Sequence, residues 1–149
     1  MIQIQPQKWD LDFEMSFTLE VDLQEKIAKV EVEGFLDNTI RMKILGAIAL
    51  ESKSGNCLGA LIDLRKSIFD LSEPIEGAVK LTMHMSDLGM SPDTKLALVY
   101  EGAENHRSTF ETITQKIGYQ VRYFKNTDEA YLWLKSTAAQ PQETSLDDV

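Results

Sequence analysis

The run Leu58-Gly-Ala-Leu-Ile-Asp-Leu64 has almost no polar interruption, and it constrains the fold more than any other stretch. A strand with one wet face alternates apolar and polar side chains. A short run without alternation suits a strand covered on both faces, the place of a central strand in a parallel sheet flanked by helices. Lys95-Leu-Ala-Leu-Val-Tyr100 repeats the pattern. Two doubly covered strands need helices on both sides of one sheet, which puts the chain in the α/β class.

The flanking segments supply the other parts. Ser16–Asp22 and Ile27–Gly34 alternate polar and apolar residues, and the short link between them predicts an antiparallel hairpin. Asp37 or Asn38 can cap a helix running to about Ser52, with Ile40, Ile44, Leu45 and Ile48 on one face. A second helix is predicted from Ser72, with Pro74 in its first turn and Ile75, Ala78, Val79, Met85 and Leu88 as its apolar stripe. Phe110, Ile113 and Ile117 mark a third helix, closed by Gly118. Tyr119–Phe124 reads as a last, half-exposed edge strand. Asn126, with Glu129 three residues on, begins a fourth helix that buries Ala130, Trp133 and Leu134.

The expected order is therefore ββαβαβαβα: a mixed, mainly parallel sheet opening on an antiparallel hairpin. Residues 1–13 read as an irregular lead, 14–136 as one α/β domain, and 137–149 as a flexible acidic tail.

Charge and composition narrow the function. The 149 residues carry 24 acids against 15 lysines and arginines, a formal net charge of −9. That balance repels phosphate backbones and anionic bilayers, so no nucleic-acid or membrane-surface role is expected. No apolar run approaches the roughly 18–20 residues of a membrane span, and the first residues do not read as a secretion signal. The single cysteine, Cys57, rules out a disulfide within the chain and suits a reducing compartment. A cytoplasmic place is the expectation.

The sequence holds no recognisable catalytic set. Phosphate-cradling glycine motifs and a nucleophile elbow are both missing. Cys57 reads as a small packing residue, and His84, between two methionines, as a surface or packing histidine. His106 is better placed, after a strand and near Glu101, Glu104 and Arg107, although a histidine at a helix start is the plainer reading. No enzyme, metal or cofactor is expected. The most suggestive stretch is Asp63-Leu-Arg65-Lys66-Ser67-Ile-Phe-Asp70-Leu-Ser72, which leaves the central strand and leads into a helix. Ser72 is at least a cap. A phosphate there would also meet the free N–H groups of the helix start, which makes Ser72 a candidate switch.

Three stretches give the arrangement a family likeness: Ile27–Gly34 followed by a helix, the apolar run ending Asp63-Leu-Arg65, and Phe124-Lys-Asn-Thr-Asp-Glu-Ala-Tyr-Leu-Trp-Leu134. Together they resemble the STAS domain, the fold of bacterial anti-sigma factor antagonists, over about residues 14–136. The likeness is greatest to the divergent SpoIIAA-like branch, sometimes grouped with the lipid-binding CRAL-TRIO proteins. In STAS antagonists a serine in an Asp-Ser-Ser-Gly turn is phosphorylated by a partner kinase. Here Asp70-Leu71-Ser72-Glu73 keeps the Asp and the second Ser and lacks the first Ser and the Gly.

The resemblance implies a non-catalytic regulatory module in bacterial signalling, with a kinase or other signalling protein as partner. A carrier of a small apolar ligand or lipid is the alternative, and a homodimer is one open oligomeric state. Either function is expected at the carboxyl ends of the strands, on loops bearing Asp63, Arg65, Lys66, Ser67 and Asp70 and on Glu101, His106 and Arg107.

Overall fold

The structure, a computed structural model, describes residues 2–7, 16–68, 75–101 and 109–136. A sheet of six strands runs β1 Ile2–Gln7, β2 Ser16–Asp22, β3 Ile27–Phe35, β4 Gly59–Ile68, β5 Lys95–Val99 and β6 Gln120–Phe124, in sequence order across the sheet. β1–β2 and β2–β3 are antiparallel. β3–β4, β4–β5 and β5–β6 are parallel. The helices are α1 Asn38–Lys53, α2 Ile75–Asp87, α3 Thr109–Ile117 and α4 Thr127–Lys135. The hairpin, the parallel strands and the edge position of β6 are as the patterning predicts.

β1 corrects the expectation of an irregular lead. The Ile2-Gln-Ile4 alternation has the period of a strand, and it pairs with β2 at Ile2↔Val21 and Ile4↔Leu19. The register shifts between Ile4 and Gln7, around Pro6. Proline lacks an N–H and is tolerated in sheets at edges and irregularities, so it does not stop this strand.

The two sheet faces are unequal. Ala60, Ile62, Leu64, Leu96, Leu98 and Val121 join Phe17, Leu19, Val30 and Val32 in the main core, with buried residues of α1, α2 and α3. Leu61, Ala97 and Val99 point the other way, to Ala130 of α4. β4 and β5 are thus covered twice, as their unbroken apolar runs require.

Local chemistry sets the helix positions. Asp37 accepts from the Ile40 N–H at 3.0 Å, and Asn126 from the Glu129 N–H at 2.9 Å, so both predicted caps form. Gly118 closes α3 at φ +114, a conformation that favours glycine. Ile40, Ile44, Leu45 and Ile48 are all buried. In α2 the buried face is Ala78, Leu81, Thr82 and Met85, so the stripe expected from sequence was partly wrong. Ile75 and Val79, with Met83, instead form an outward row at i, i+4 and i+8. Among the described residues no helix is long and apolar enough to cross a membrane.

Candidate functional site

The carboxyl ends of β3 and β4 depart from a regular sheet. Glu31 pairs with Asp63 and Glu33 with Lys66, so β4 uses three residues where β3 uses two. One extra residue makes a bulge, which bends the strand and re-aims its side chains. β5 follows β4 only as far as the Asp63↔Val99 pair. Beyond it Lys66, Ser67 and Ile68 pair with Glu33, Gly34 and Phe35 alone, forming a two-stranded ribbon that extends past the parallel sheet. The expectation of a loop at Arg65, Lys66 and Ser67 is therefore corrected: β3 supplies the ladder partners that keep this polar stretch extended.

Asp63 organises the bulge. Its Oδ1 accepts from the Arg65 backbone N–H at 3.0 Å and from Arg65 Nε at 2.9 Å, and its Oδ2 accepts from Arg65 Nη2 at 2.7 Å. The Arg65 bonds hold the Asp63 carboxyl below its ordinary pKa against the opposing effect of burial, and Lys29 adds to the depression. The bond to Asp63, with Glu101 and Glu31 nearby, raises the Arg65 guanidinium in turn. Ser67 Oγ donates to Leu64 O at 2.7 Å, and the Leu36 N–H to Ile68 O at 3.0 Å. Gly34 has φ +86 within the ribbon, a backbone shape that penalises any side chain.

The ribbon presents what sequence reasoning missed. Phe35 and Ile68 are direct register partners, and both face solvent, 66% and 60% exposed. The outward row of α2 adds Ile75 and Met83 at 68% and 59%. The available signal was Ile68-Phe69 standing as an apolar pair in the polar run Arg65–Asp70. Asn38 Nδ2, at the start of α1, donates to Gly77 O at 3.2 Å and ties the first turns of α1 and α2 together.

Of the residues expected at the site, Asp63, Arg65, Lys66 and Ser67 lie together on β4. Glu101 is an exposed turn residue after β5, close enough to act on Arg65. Asp70, Ser72, His106 and Arg107, with the tail from 137, lie outside the described residues.

Two cavities bear on ligand binding. Between the main face of the sheet and α1–α3, lined by Leu36, Ile44, Leu81, Leu98 and Phe110 among others, about 30 Å³ is open. That is the room of a water molecule or so, against several hundred Å³ for a typical ligand pocket. An open groove of about 690 Å³ lies where α4 leaves β2 and β3 uncovered, and Glu20, Asp22, Glu25, Lys29, Asp128 and Lys135 give it a charged lining. Among the described residues no three His, Cys, Asp or Glu side chains gather to hold a metal ion. Cys57 is fully buried, and burial pushes its thiol up to about 11, far from a reactive thiolate.

No protein-family model and no curated protein matches the sequence. Solved structures do match in shape. An anti-sigma factor antagonist from Mycobacterium paratuberculosis superposes with a TM-score of 0.50 at 16% identity, over 81% of this chain and 96% of that one. The unphosphorylated anti-sigma factor antagonist SpoIIAA gives 0.46 at 15% identity, over 81% and 99%. An uncharacterized protein with a SpoIIAA-like fold from Shewanella loihica gives 0.47 at 16% identity, over 86% and 98%. At these identities the likeness is one of architecture: the chain has the fold of the anti-sigma factor antagonist from Mycobacterium paratuberculosis.

Proposed function

We propose that this chain is a non-catalytic regulatory module that docks a partner protein at the carboxyl ends of β3 and β4. The observation that carries the reading is the outward Phe35–Ile68 pair on the ribbon, with the Ile75–Val79–Met83 row of α2 as a second apolar strip. Exposed apolar side chains grouped together and rimmed by polar ones mark protein-interaction sites, and Asp63, Arg65 and Lys66 would form such a rim. The anti-sigma factor antagonists that share the fold are regulators by name, which agrees with this role.

The partner is a kinase or another signalling protein, and the setting bacterial and cytoplasmic. Ser72, three residues before Ile75 in the chain, is the proposed switch: phosphorylation would add negative charge to the segment that leads into α2. The carrier alternative is not pursued, because about 30 Å³ in the apolar core leaves a lipid chain no room.

The test is affinity capture with the wild type, the pair Phe35→Ser/Ile68→Ser, and Ser72→Asp. Loss of a specific captured protein with the ribbon pair supports the docking surface, and its loss with Ser72→Asp supports the switch. Identical capture by all three overturns both. A lipid carried at stoichiometric amount in native mass spectrometry would restore the carrier reading.

A further inference from the structure

We infer that the groove between α4 and the β2–β3 hairpin docks a basic, amphipathic helical segment of a partner protein. The inference goes beyond the docking reading and concerns the sheet face behind the main core, not the β3–β4 ribbon. α4 packs on β4, β5 and β6 and leaves the hairpin uncovered. The side of α4 that walls the gap is Asp128, Tyr131, Leu132 and Lys135, at i, i+3, i+4 and i+7. The floor comes from alternate residues of the hairpin. Leu19, Val21, Ala28 and Val30 belong to the main core, so Glu20, Asp22, Ile27 and Lys29 face the groove.

Shape and charge specify the occupant. From Asp128 to Lys135 the helix rises about 10 Å, and the groove beside it holds about 690 Å³. A helix segment about 10 Å across and about 10 Å long occupies roughly 800 Å³. The gap thus has the size of two turns of a second helix lying beside α4, in the layer that α/β sheets carry on each face. Charge selects a basic one. Among the described residues Lys29 pairs with Glu31 at 3.6 Å and Lys135 with Glu25 at 3.9 Å. No base forms an ion pair there with Glu20, Asp22 or Asp128. Lys29 is the cross-strand partner of Glu20, yet its amine turns to Glu31. Three carboxylates are thus left for cations from outside, which lysines or arginines of a partner match. Leu132 on the same wall is 72% exposed, and Ile27 and Tyr131 also line the groove. That strip suits the apolar side of an amphipathic helix and would stay uncovered beneath a simple polyamine. A second copy is opposed by its own net charge of −9.

The experiment titrates the full chain with a labelled, Ala-rich helical peptide that bears Lys on one side and Leu on the other. The wild type is expected to bind it, and to bind a counterpart with Glu in place of Lys about tenfold more weakly or not at all. Glu20→Gln/Asp128→Asn is expected to weaken binding about tenfold, and Asp87→Asn/Asp93→Asn, which removes as much charge elsewhere, less than about twofold. Asp22 is kept, because it accepts the Gln24 and Glu25 N–H groups of the hairpin turn. Leu132→Gln is expected to weaken binding about threefold with the salt dependence unchanged. If Glu20→Gln/Asp128→Asn fails to fold, Glu20→Gln alone and Leu132→Gln carry the test. Equal weakening by the two double variants overturns the inference, because general acidity then holds the peptide. Wild-type affinity in Leu132→Gln, with spermine displacing the peptide, overturns it in favour of a small polycation. A wild-type mass in light scattering that doubles with concentration and excludes the peptide overturns it in favour of a second copy.

Discussion

Arg65 and Asp63, two residues apart on β4, are joined by paired bonds of 2.9 and 2.7 Å, and the carboxylate also accepts the Arg65 backbone N–H. The pair fixes the bulge at which β4 leaves β5 and continues beside β3 alone. Its pH dependence follows from the lowered Asp63 pKa. The folded carboxyl stays ionised at pH values where the unfolded chain, near 3.8, takes up a proton. The contribution is therefore complete above about 3.8 and lost as pH falls through the lower folded value. Arg65 is partly exposed, so the loss is expected at about 1 kcal/mol. Urea midpoints of the wild type and Asp63→Asn should differ at pH 7 and converge as the pH falls below 3.8. A constant gap across that range would show that the pair does not set the acid response.

Two glycines should respond oppositely to alanine. A Cβ on Gly59 would stand 3.0 Å from Lys95 O and 3.2 Å from Leu134 Cδ2, in the seam between β4, β5 and α4. Overpacking of that kind costs about 1–3 kcal/mol. A Cβ on Gly46, inside α1, meets nothing within 4 Å, so Gly46→Ala should gain about 0.5–1 kcal/mol from helix propensity. Thermal melts of the two variants should move in opposite directions.

Lys95 is buried, and its Nζ donates to Trp133 O at 3.0 Å, Ser136 O at 2.9 Å and Ser136 Oγ at 2.8 Å. It also lies 5.3 Å from the Trp133 ring centroid. The amine thus meets Ser136 O just past the end of α4 and adds a donor to Trp133 O, which already accepts from the Ser136 N–H at 3.1 Å and the Ser136 hydroxyl at 2.6 Å, while burial lowers its pKa. Lys95→Met keeps the packing volume and takes the amine donor from Ser136 O, at a cost of about 1 kcal/mol. Hydrogen exchange in α4 should quicken more than in α1, and equal quickening in both would mean that Lys95 acts on the whole fold.

The elements readable from sequence were those fixed by neighbours in sequence. Asp37 and Asn126 cap helices through bonds spanning three residues, and the Ile40–Ile48 face has the helical period. The parts that escaped are fixed from a distance. Arg65-Lys66-Ser67 looks like a loop by composition and is a strand because Glu33–Phe35 lies alongside. Ile2–Gln7 joins the sheet because β2 offers an edge, although its glutamines and Pro6 give a weak strand signal. Val79 matched an apolar stripe on α2, yet the sheet beneath chose Ala78, Leu81 and Met85. Of the site, Asp63 and Arg65 were visible as a motif, whereas the outward Phe35–Ile68 pair depends on a register shift that no local pattern encodes.

That register shift gives a prediction separating folding from binding. Phe35 and Ile68 are largely exposed, so changing either to Ser should alter stability by no more than about 0.5 kcal/mol. Gly34, immediately before Phe35, has φ +86. Gly34→Val there should cost roughly 1–2 kcal/mol, because a side chain is strained in that region. The strain would also disturb the Gly34↔Ser67 pairing that seats Phe35 beside Ile68. If the ribbon is the docking surface, Phe35→Ser and Ile68→Ser should weaken partner capture at an unchanged melting temperature, and Gly34→Val should lower both. Partner capture that follows melting temperature alone across the three variants would place the docking surface elsewhere.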